Sequence, residues 1–244
     1  MKIIESLFAS LSEDAPVRSI LVGAHWTVVC SRYCGLAATL QGDHPHGHTL
    51  VRDVGSLHTK SARELAEYAR STDLLEASIG VAALNSLLEM DESLAVEINA
   101  SEVLADRGRG KNVALIGHFP FIPQLRQEAK QLWILEQRPT EDEYPAEAAP
   151  QLLPQAEVVA ITGSTLINHT LDSLLNLVQP GATVMVLGPS TPLSPLLFEY
   201  GATIISGTRV VDEATVLRTV GQGAVFRQVG GVKLLTFSRE AKAG

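Results

Sequence analysis

KNVALIGHFPFIP, residues 111–123, is the stretch from which the fold follows. The apolar run at residues 113–116 has the length of a buried strand, and it stops at Gly117. Pro120 then suits the first turn of a helix, because the N–H that proline lacks would have no partner there. The pattern predicts a strand, a sharp turn that carries His118, and a helix. In an open α/β sheet such a turn lies at the carboxyl end of a strand, where ligands bind.

From Lys111 onward, apolar strand patterns alternate with helical patterns. The strand candidates are residues 113–116, 132–135, 158–161, 183–187, 203–205 and 232–237. Helical patterns are centred between them, at about 121–130, 164–178, 193–200 and 212–220. This alternation predicts an α/β domain with a doubly wound, mostly parallel sheet. The acidic, proline-rich segment 137–154 is predicted to be a long surface loop on that domain.

The first 100 residues follow a different pattern. Apolar residues at helical spacing predict a helix over 2–12, and three short apolar runs predict strands at 17–22, 26–30 and 36–40. A capping box at Ser61 and Glu64 and a wide apolar face over 73–90 predict two further helices. The sequence therefore predicts a small α+β domain over residues 1–100 and the α/β domain over 101–244.

Composition excludes several classes of function. The net charge of −8 argues against binding to nucleic acid, which needs a basic face. No apolar run approaches the roughly 20 residues of a membrane span. Two cysteines, Cys30 and Cys34, are too few for a disulfide framework, so we expect free thiols in a reducing cytoplasm. The state of assembly stays open, a homo-oligomer included.

Three strand ends of the second domain carry similar chemistry. Each has a glycine, which allows a ligand close to the backbone, and a following helix whose first N–H groups lack internal partners. Such amides and hydroxyls suit a carboxylate, phosphate or oxyanion. Helix caps and ordinary turns are the alternative explanation for any one loop. The residues concerned are Gly117, His118, Phe119 and Pro120, then Gly163, Ser164, Thr165 and Asn168, and finally Gly188, Pro189, Ser190 and Thr191.

Glu136 ends the second predicted strand of this domain, 19 residues after Gly117. In a dinucleotide-binding unit, an acidic residue near that distance holds the ribose hydroxyls. The glycine fingerprint G-x-G-x-x-G is absent, however, and Pro120 and Phe121 occupy its place. A standard NAD site is therefore not expected, whereas another small anionic or planar ligand fits the pattern.

Histidines supply the candidate metal ligands. His44, His46 and His48 lie beside Asp43, and neutral imidazoles at this density can bind zinc, nickel or copper. They are equally typical of a solvated hairpin tip, since metal sites usually draw ligands from separate elements. His118 fits a metal ligand or a general base, although spacing identifies no acidic partner for it.

Asn85 lies within a strongly apolar helix. A buried amide needs hydrogen-bond partners, and the interface between the two domains could supply them. Asn85 is therefore a candidate for the wall of a site between the domains.

Four stretches together resemble a known family. They are LEASIGVAALNS at 75–86, VALIGHFPFIP at 113–123, ITGSTLINHTLDSLL at 161–175 and LGPSTPLSPLLFEYG at 187–201. The chain is similar to prokaryotic proteins of the heavy-metal chelation domain family. That resemblance implies an enolase N-terminal-like domain, a Rossmann-like domain and a site in the cleft between them. The lining residues it implies are Gly117, His118, Gly163, Asn168, Gly188 and Ser190.

Three functions follow as hypotheses. The first is binding of a transition metal ion, or of a metal-bearing small molecule, in the interdomain cleft. The second is an enzyme, a lyase or transferase, in which His118 acts as the acid–base group on an anionic substrate. The third is an interaction module without chemistry, which predicts a filled cleft.

Overall fold

A computed structural model of the protein describes residues 1–42 and 51–239. The three clustered histidines, His44, His46 and His48, lie outside the described residues. Two β-sheets organise the chain, one of three strands and one of seven. No helix among the described residues has the length and apolarity to cross a membrane.

The first sheet is antiparallel and is packed by helices. Its strands pair in the order β1-β2-β3. The elements of this part of the chain are α1 (Lys2–Ala9), β1 (Ser19–Val22), β2 (Trp26–Cys30), β3 (Cys34–Ala38), α2 (Ala62–Ala66) and α3 (Leu74–Leu87). The capping box predicted at the start of α2 is present, since Ser61 accepts from the N–H of Glu64.

Helix α3 is buried nearly all round, because it lies between the sheet and α2. Two glycines permit this packing. A Cβ on Gly35 would lie 2.2 Å from the carbonyl oxygen of Ala82 in the helix, and a Cβ on Gly80 would lie 1.8 Å from the nitrogen of Ala69. The sequence predicted one wide apolar face, whereas a helix that is apolar on every side is typical of complete burial.

The second sheet has the order β10-β9-β8-β7-β4-β5-β6. Every pair in it is parallel except β9 with β10. The elements are α4 (Ala100–Gly108), β4 (Asn112–Ile116), α5 (Ile122–Glu128), β5 (Gln131–Glu136), β6 (Tyr144–Pro145), α6 (Ala149–Leu152), β7 (Val158–Thr162), α7 (Leu171–Leu177), β8 (Thr183–Leu187), β9 (Ile204–Val210), α8 (Glu213–Gly221) and β10 (Val232–Ser238). The predicted mixed α/β fold with a mostly parallel sheet is confirmed.

Three local predictions were wrong. Pro123, and not Pro120, occupies the first turn of α5. The helix predicted over 164–178 is divided into a 3-10 turn, Gly163–Leu166, and α7, and Asn168 between them accepts two hydrogen bonds from Thr170. The segment 137–154 is not simply a loop, since it contains β6 and α6.

The expectation of free thiols was also wrong. Cys30 and Cys34 form a disulfide. They are directly opposite each other in the hairpin of β2 and β3. The bond encloses so few residues that its chain-entropy contribution to stability is small, about 2 kcal/mol. It joins neighbours that the hairpin already holds together.

Candidate functional site

A cavity of about 630 Å³ lies between the two sheets. One wall comes from the first sheet and the loop after it, through Trp26, Ala38 and Leu40. The opposite wall comes from the ends of β4, β5, β7 and β8 and from α6 and α7. This volume matches that of small-molecule sites, which range over roughly 300–1,000 Å³. The filled cleft that a pure interaction module predicts is not observed.

The strand order explains where this cavity forms. β4 and β7 are neighbours, but the chain continues from β4 toward β5 on one side and from β7 toward β8 on the other. The loops after them therefore diverge and leave a crevice, the usual ligand position in doubly wound sheets. Gly117 turns the chain away from β4 with φ 107°, a value that only glycine adopts readily. Gly188 does the same after β8, with φ 108°.

His118 has an acidic partner in this crevice. Its Nδ1 lies 2.9 Å from Oε1 of Glu143. The His118 side chain is 68% exposed, whereas that of Glu143 is only 5% exposed. A shielded carboxylate thus orients an accessible imidazole, and Nε2 is left for a ligand or a proton. Carboxylates play this part for metal-binding histidines and for catalytic ones.

The two glutamates beside His118 titrate differently. A hydrogen bond from the backbone N–H of Thr140 and a second from His118 lower the pKa of Glu143. Burial raises the pKa of Glu136, and the charge of Glu143 adds to that increase. Carboxyl groups with shifted pKa values in a cleft are candidates for function, either as ligands or as acid–base groups.

Hydroxyl groups line the crevice after β7 and β8. The hydroxyls of Thr162 and Ser164 lie 3.0 Å apart. The hydroxyl of Thr165 donates a hydrogen bond to the carbonyl of Thr162. This hydroxyl can therefore accept a hydrogen bond from a ligand but does not donate one to it. Ser190 accepts a 2.8 Å hydrogen bond from the N–H of Ala38 in the first sheet. Ser190 therefore links the two sheets as well as lining the cavity.

A second, smaller cavity of about 30 Å³ lies on the other side of this link. The amide nitrogen of Asn85 donates to the carbonyls of Leu36 and Ser190, at 3.0 and 3.1 Å, so this side chain bridges the two sheets. Among the described residues, the side-chain oxygens of Asn85, Thr191 and Thr208 have no hydrogen-bond partner, and all three residues line this cavity. A polar space of this volume suits one or two water molecules.

The structure separates the candidate residues into three groups. Eight line the large cavity: Gly117, His118, Glu136, Ser164, Thr165, Asn168, Pro189 and Ser190. Asn85 and Thr191 line the small one. Phe119, Pro120, Gly163 and Gly188 line neither cavity. Phe119 stacks on Phe121 instead, with ring centroids 5.1 Å apart.

Gly163 has a supporting role, because it allows two loops of the site to meet. A Cβ at this position would lie 2.4 Å from the hydroxyl oxygen of Thr191 and 2.6 Å from its backbone nitrogen. The loops after β7 and β8 are therefore in contact through this glycine.

Sequence reasoning missed Glu143 and the residues of the first sheet. Glu143 is one of several acidic residues in segment 137–154, and no local pattern distinguishes it from its neighbours. Thr162, the last residue of β7, opens the second of the strand-end motifs, and it lines the large cavity.

The donor set at the large cavity tests whether a metal fits. Imidazole nitrogen and carboxylate oxygen are common ligands of transition metals. However, His118, Glu136 and Glu143 do not form a compact cluster. Among the described residues, three metal-binding side chains come within 4.8 Å of one another at one place only, formed by Cys30, Cys34 and Glu213. The described residues of the large cavity thus offer donors to a metal but no compact set of three ligands.

Comparisons with known proteins agree with this fold. A crystal structure of a protein of unknown function from Desulfitobacterium hafniense DCB-2 superposes with a TM-score of 0.86, at 28% identity and over 98% of both chains. A second, from Pyrococcus horikoshii, gives a TM-score of 0.80 at 19% identity over 97% of this chain and 98% of that one, and supports the fold alone. An uncharacterized protein of Methanocaldococcus jannaschii is 29% identical over 185 residues, which cover 73% of this chain and 70% of that protein.

Two family profiles match the chain, and both carry the description "Putative heavy-metal chelation". One covers residues 4–88 and the other residues 99–237. The second match alone spans more than half of the chain. The protein therefore belongs to the family that carries this description.

Proposed function

We propose that the protein binds a metal-bearing small molecule in the large cavity, with His118 as its direct ligand to the metal. One observation carries the proposal: the accessible imidazole of His118 is fixed by Glu143 at a cavity far larger than an ion. A hydrogen bond from Nδ1 to a carboxylate favours the tautomer in which Nε2 presents a lone pair to a metal. The family description is consistent with such a role.

The remaining groups suit the organic part of such a ligand. The apolar wall from Trp26, Ala38 and Leu40 can cover carbon atoms. The hydroxyls of Thr162 and Ser164 can bind carboxylate or phosphate oxygens at the opposite side. The hydroxyls follow the carboxyl ends of parallel strands, where ligands bind in open α/β sheets.

The test uses nickel nitrilotriacetate, an anionic metal chelate with open coordination positions for imidazole. Isothermal titration of the wild-type protein should give a site that His118→Ala abolishes while the circular dichroism spectrum stays unchanged. Because His44, His46 and His48 could also bind nickel, the triple variant His44→Ala, His46→Ala, His48→Ala is the control and should keep the site. A dissociation constant weaker than about micromolar, ~8 kcal/mol, or binding that survives His118→Ala in the background of that triple variant, would refute the proposal.

The raised pKa of Glu136 supports a second candidate, a lyase or transferase acting on an anionic substrate. A carboxyl group that is protonated more readily than usual can serve as a general acid beside the His118–Glu143 pair. Anaerobic incubation with a small-molecule extract, followed by mass spectrometry, separates the two candidates. An enzyme consumes a metabolite, and both His118→Ala and Glu136→Gln abolish that consumption. A binding protein retains a compound unchanged.

A further inference from the structure

Cys30, Cys34 and Glu213 form a cluster that is separate from the cavity described above. Their sulfur and carboxylate atoms all lie within 4.8 Å of one another. The two cysteines face each other across the β2–β3 hairpin, and Glu213 is the first residue of α8. Helix α8 packs on this face of the first sheet through Val216. The three side chains are thus held together by two independent elements of the fold.

We propose that this cluster is a redox-controlled binding site for a soft divalent cation such as Zn²⁺ or Cd²⁺. In the reduced protein, two thiolates and one carboxylate hold the ion, a donor set that soft metals prefer. In the disulfide form, the sulfurs are joined to each other and this site is closed. The site is independent of the proposed function of the large cavity.

Opening the disulfide consumes one two-electron reductant. A dithiol or phosphine reductant supplies two electrons, the Cys30–Cys34 bond breaks, and each sulfur takes one proton. A dithiol supplies both protons and is oxidised to a disulfide, whereas a phosphine reacts with one water molecule, which supplies the two protons and the oxygen of the phosphine oxide. When the cation binds, both thiols release their protons, so two protons leave for each ion bound.

Charge and access also favour a cation here. Two thiolates and the Glu213 carboxylate carry three negative charges, and Arg18, whose guanidinium lies 2.7 Å from Glu213, carries one positive charge. A divalent cation therefore makes the group neutral. Cys30 is fully buried, whereas Cys34 is half-buried, so Cys34 is the cysteine of the pair that a reductant or ion can reach.

The disulfide stabilises the fold less than a bond that closes a long loop would. A bond between residues four apart encloses a very short loop and constrains the unfolded chain little. The hairpin register already places the two residues opposite each other. Two cysteines placed in this way next to a carboxylate suit a reversible switch better than a permanent cross-link.

Cadmium is the probe, because its thiolate complexes have a characteristic ultraviolet charge-transfer absorption. The full-length protein, reduced with a phosphine and kept anaerobic, should show two reactive thiols and bind one cadmium ion with that absorption. The disulfide form should not show it. Cys34→Ser should abolish the absorption, and Glu213→Gln should weaken cadmium binding about 10-fold or more, since loss of even an outer-shell partner typically costs about 10- to 100-fold in affinity. The matched control Glu199→Gln, at an exposed carboxylate, should leave it unchanged.

His118→Ala keeps the two proposals distinguishable. It should abolish binding of nickel nitrilotriacetate and leave the cadmium absorption intact. Two free thiols without cadmium absorption, failure of the disulfide to reduce in the folded protein, or absorption that survives Cys34→Ser would overturn the inference. Circular dichroism of each variant confirms that the fold is retained.

Discussion

Nδ1 of His118 lies 2.9 Å from Oε1 of Glu143, although the two residues are 25 positions apart. His118 stands on the turn after β4, and Glu143 stands just before the short strand β6. β6 pairs with the last two residues of β5, so Glu143 lies at the same carboxyl end of the sheet as the turn after β4. It gives the only histidine found at the large cavity, among the residues described, a fixed orientation.

Glu143→Gln should weaken metal binding through His118. The amide keeps the size of the side chain but removes the charge that orients the imidazole and raises its basicity. Loss of such a partner typically costs about 10- to 100-fold in metal affinity. Isothermal titration with nickel nitrilotriacetate measures the change. Glu141→Gln, at an exposed carboxylate of the same segment, is the control and should leave the affinity within twofold of wild type.

Asn85→Ala should destabilise the protein by about 1–3 kcal/mol, because it removes a donor shared by two buried carbonyls. Those carbonyls belong to Leu36 in the first sheet and Ser190 in the second part of the chain. Urea denaturation measures the free energy of unfolding. Asn176→Ala, at an exposed position of α7, is the matched control and should change it by less than about 0.5 kcal/mol.

Asn85→Asp should be more harmful than Asn85→Ala at neutral pH. The substitution keeps the shape but places a carboxylate oxygen against the carbonyls of Leu36 and Ser190. A charge buried beside two acceptors, without a donor, costs more than an absent side chain. Equal stability of the two variants would show that Asn85 does not bridge the sheets in solution.

Much of the fold follows from local sequence patterns. Short apolar runs predicted nine of the strands, and the glycine turns at Gly117 and Gly188 were found because chain reversal after a buried strand has a local signal. The partner of His118 was not predicted from the sequence. Its identity depends on which acidic residue of the β5–β6 connection folds against the turn after β4. The disulfide was missed for a similar reason, since the register of the hairpin decides whether Cys30 and Cys34 are opposite each other.

Gly163→Ala should disturb the site and the stability together. Its new methyl group would lie 2.6 Å from the backbone nitrogen of Thr191, so one of the two loops must move. Such overpacking costs about 1–3 kcal/mol, and we expect weaker nickel chelate binding in the same variant. Gly221→Ala is the control, because its nearest neighbour, a Leu21 methyl carbon, is at an ordinary 3.5 Å. If the Gly163→Ala variant binds the nickel chelate as tightly as wild type, the contact between Gly163 and Thr191 is not required for binding.

Glu136→Gln should make the protein more stable at neutral pH while it weakens function. Burial raises the pKa of Glu136 above its ordinary value of 4.5, so folding favours the protonated form. The stability that this group contributes is therefore fully present below pH 4.5 and is lost as the pH rises through its raised pKa. A glutamine amide does not ionise, so the variant does not lose this stability as the pH rises. Its free energy of unfolding at pH 7 should therefore be higher than that of wild type.

The pH dependence provides the decisive measurement for Glu136. Urea denaturation of both proteins should be measured from pH 4 to pH 8. The free energy of unfolding of Glu136→Gln should exceed that of wild type by an amount that is smallest at pH 4 and increases with pH. Glu141→Gln, where the carboxylate is exposed, should show no such trend. A carboxylate retained at a stability cost is typical of functional sites. A Gln variant that is less stable than wild type at pH 7 would instead mean that Glu136 is held charged by partners, and would remove it from the acid–base candidates.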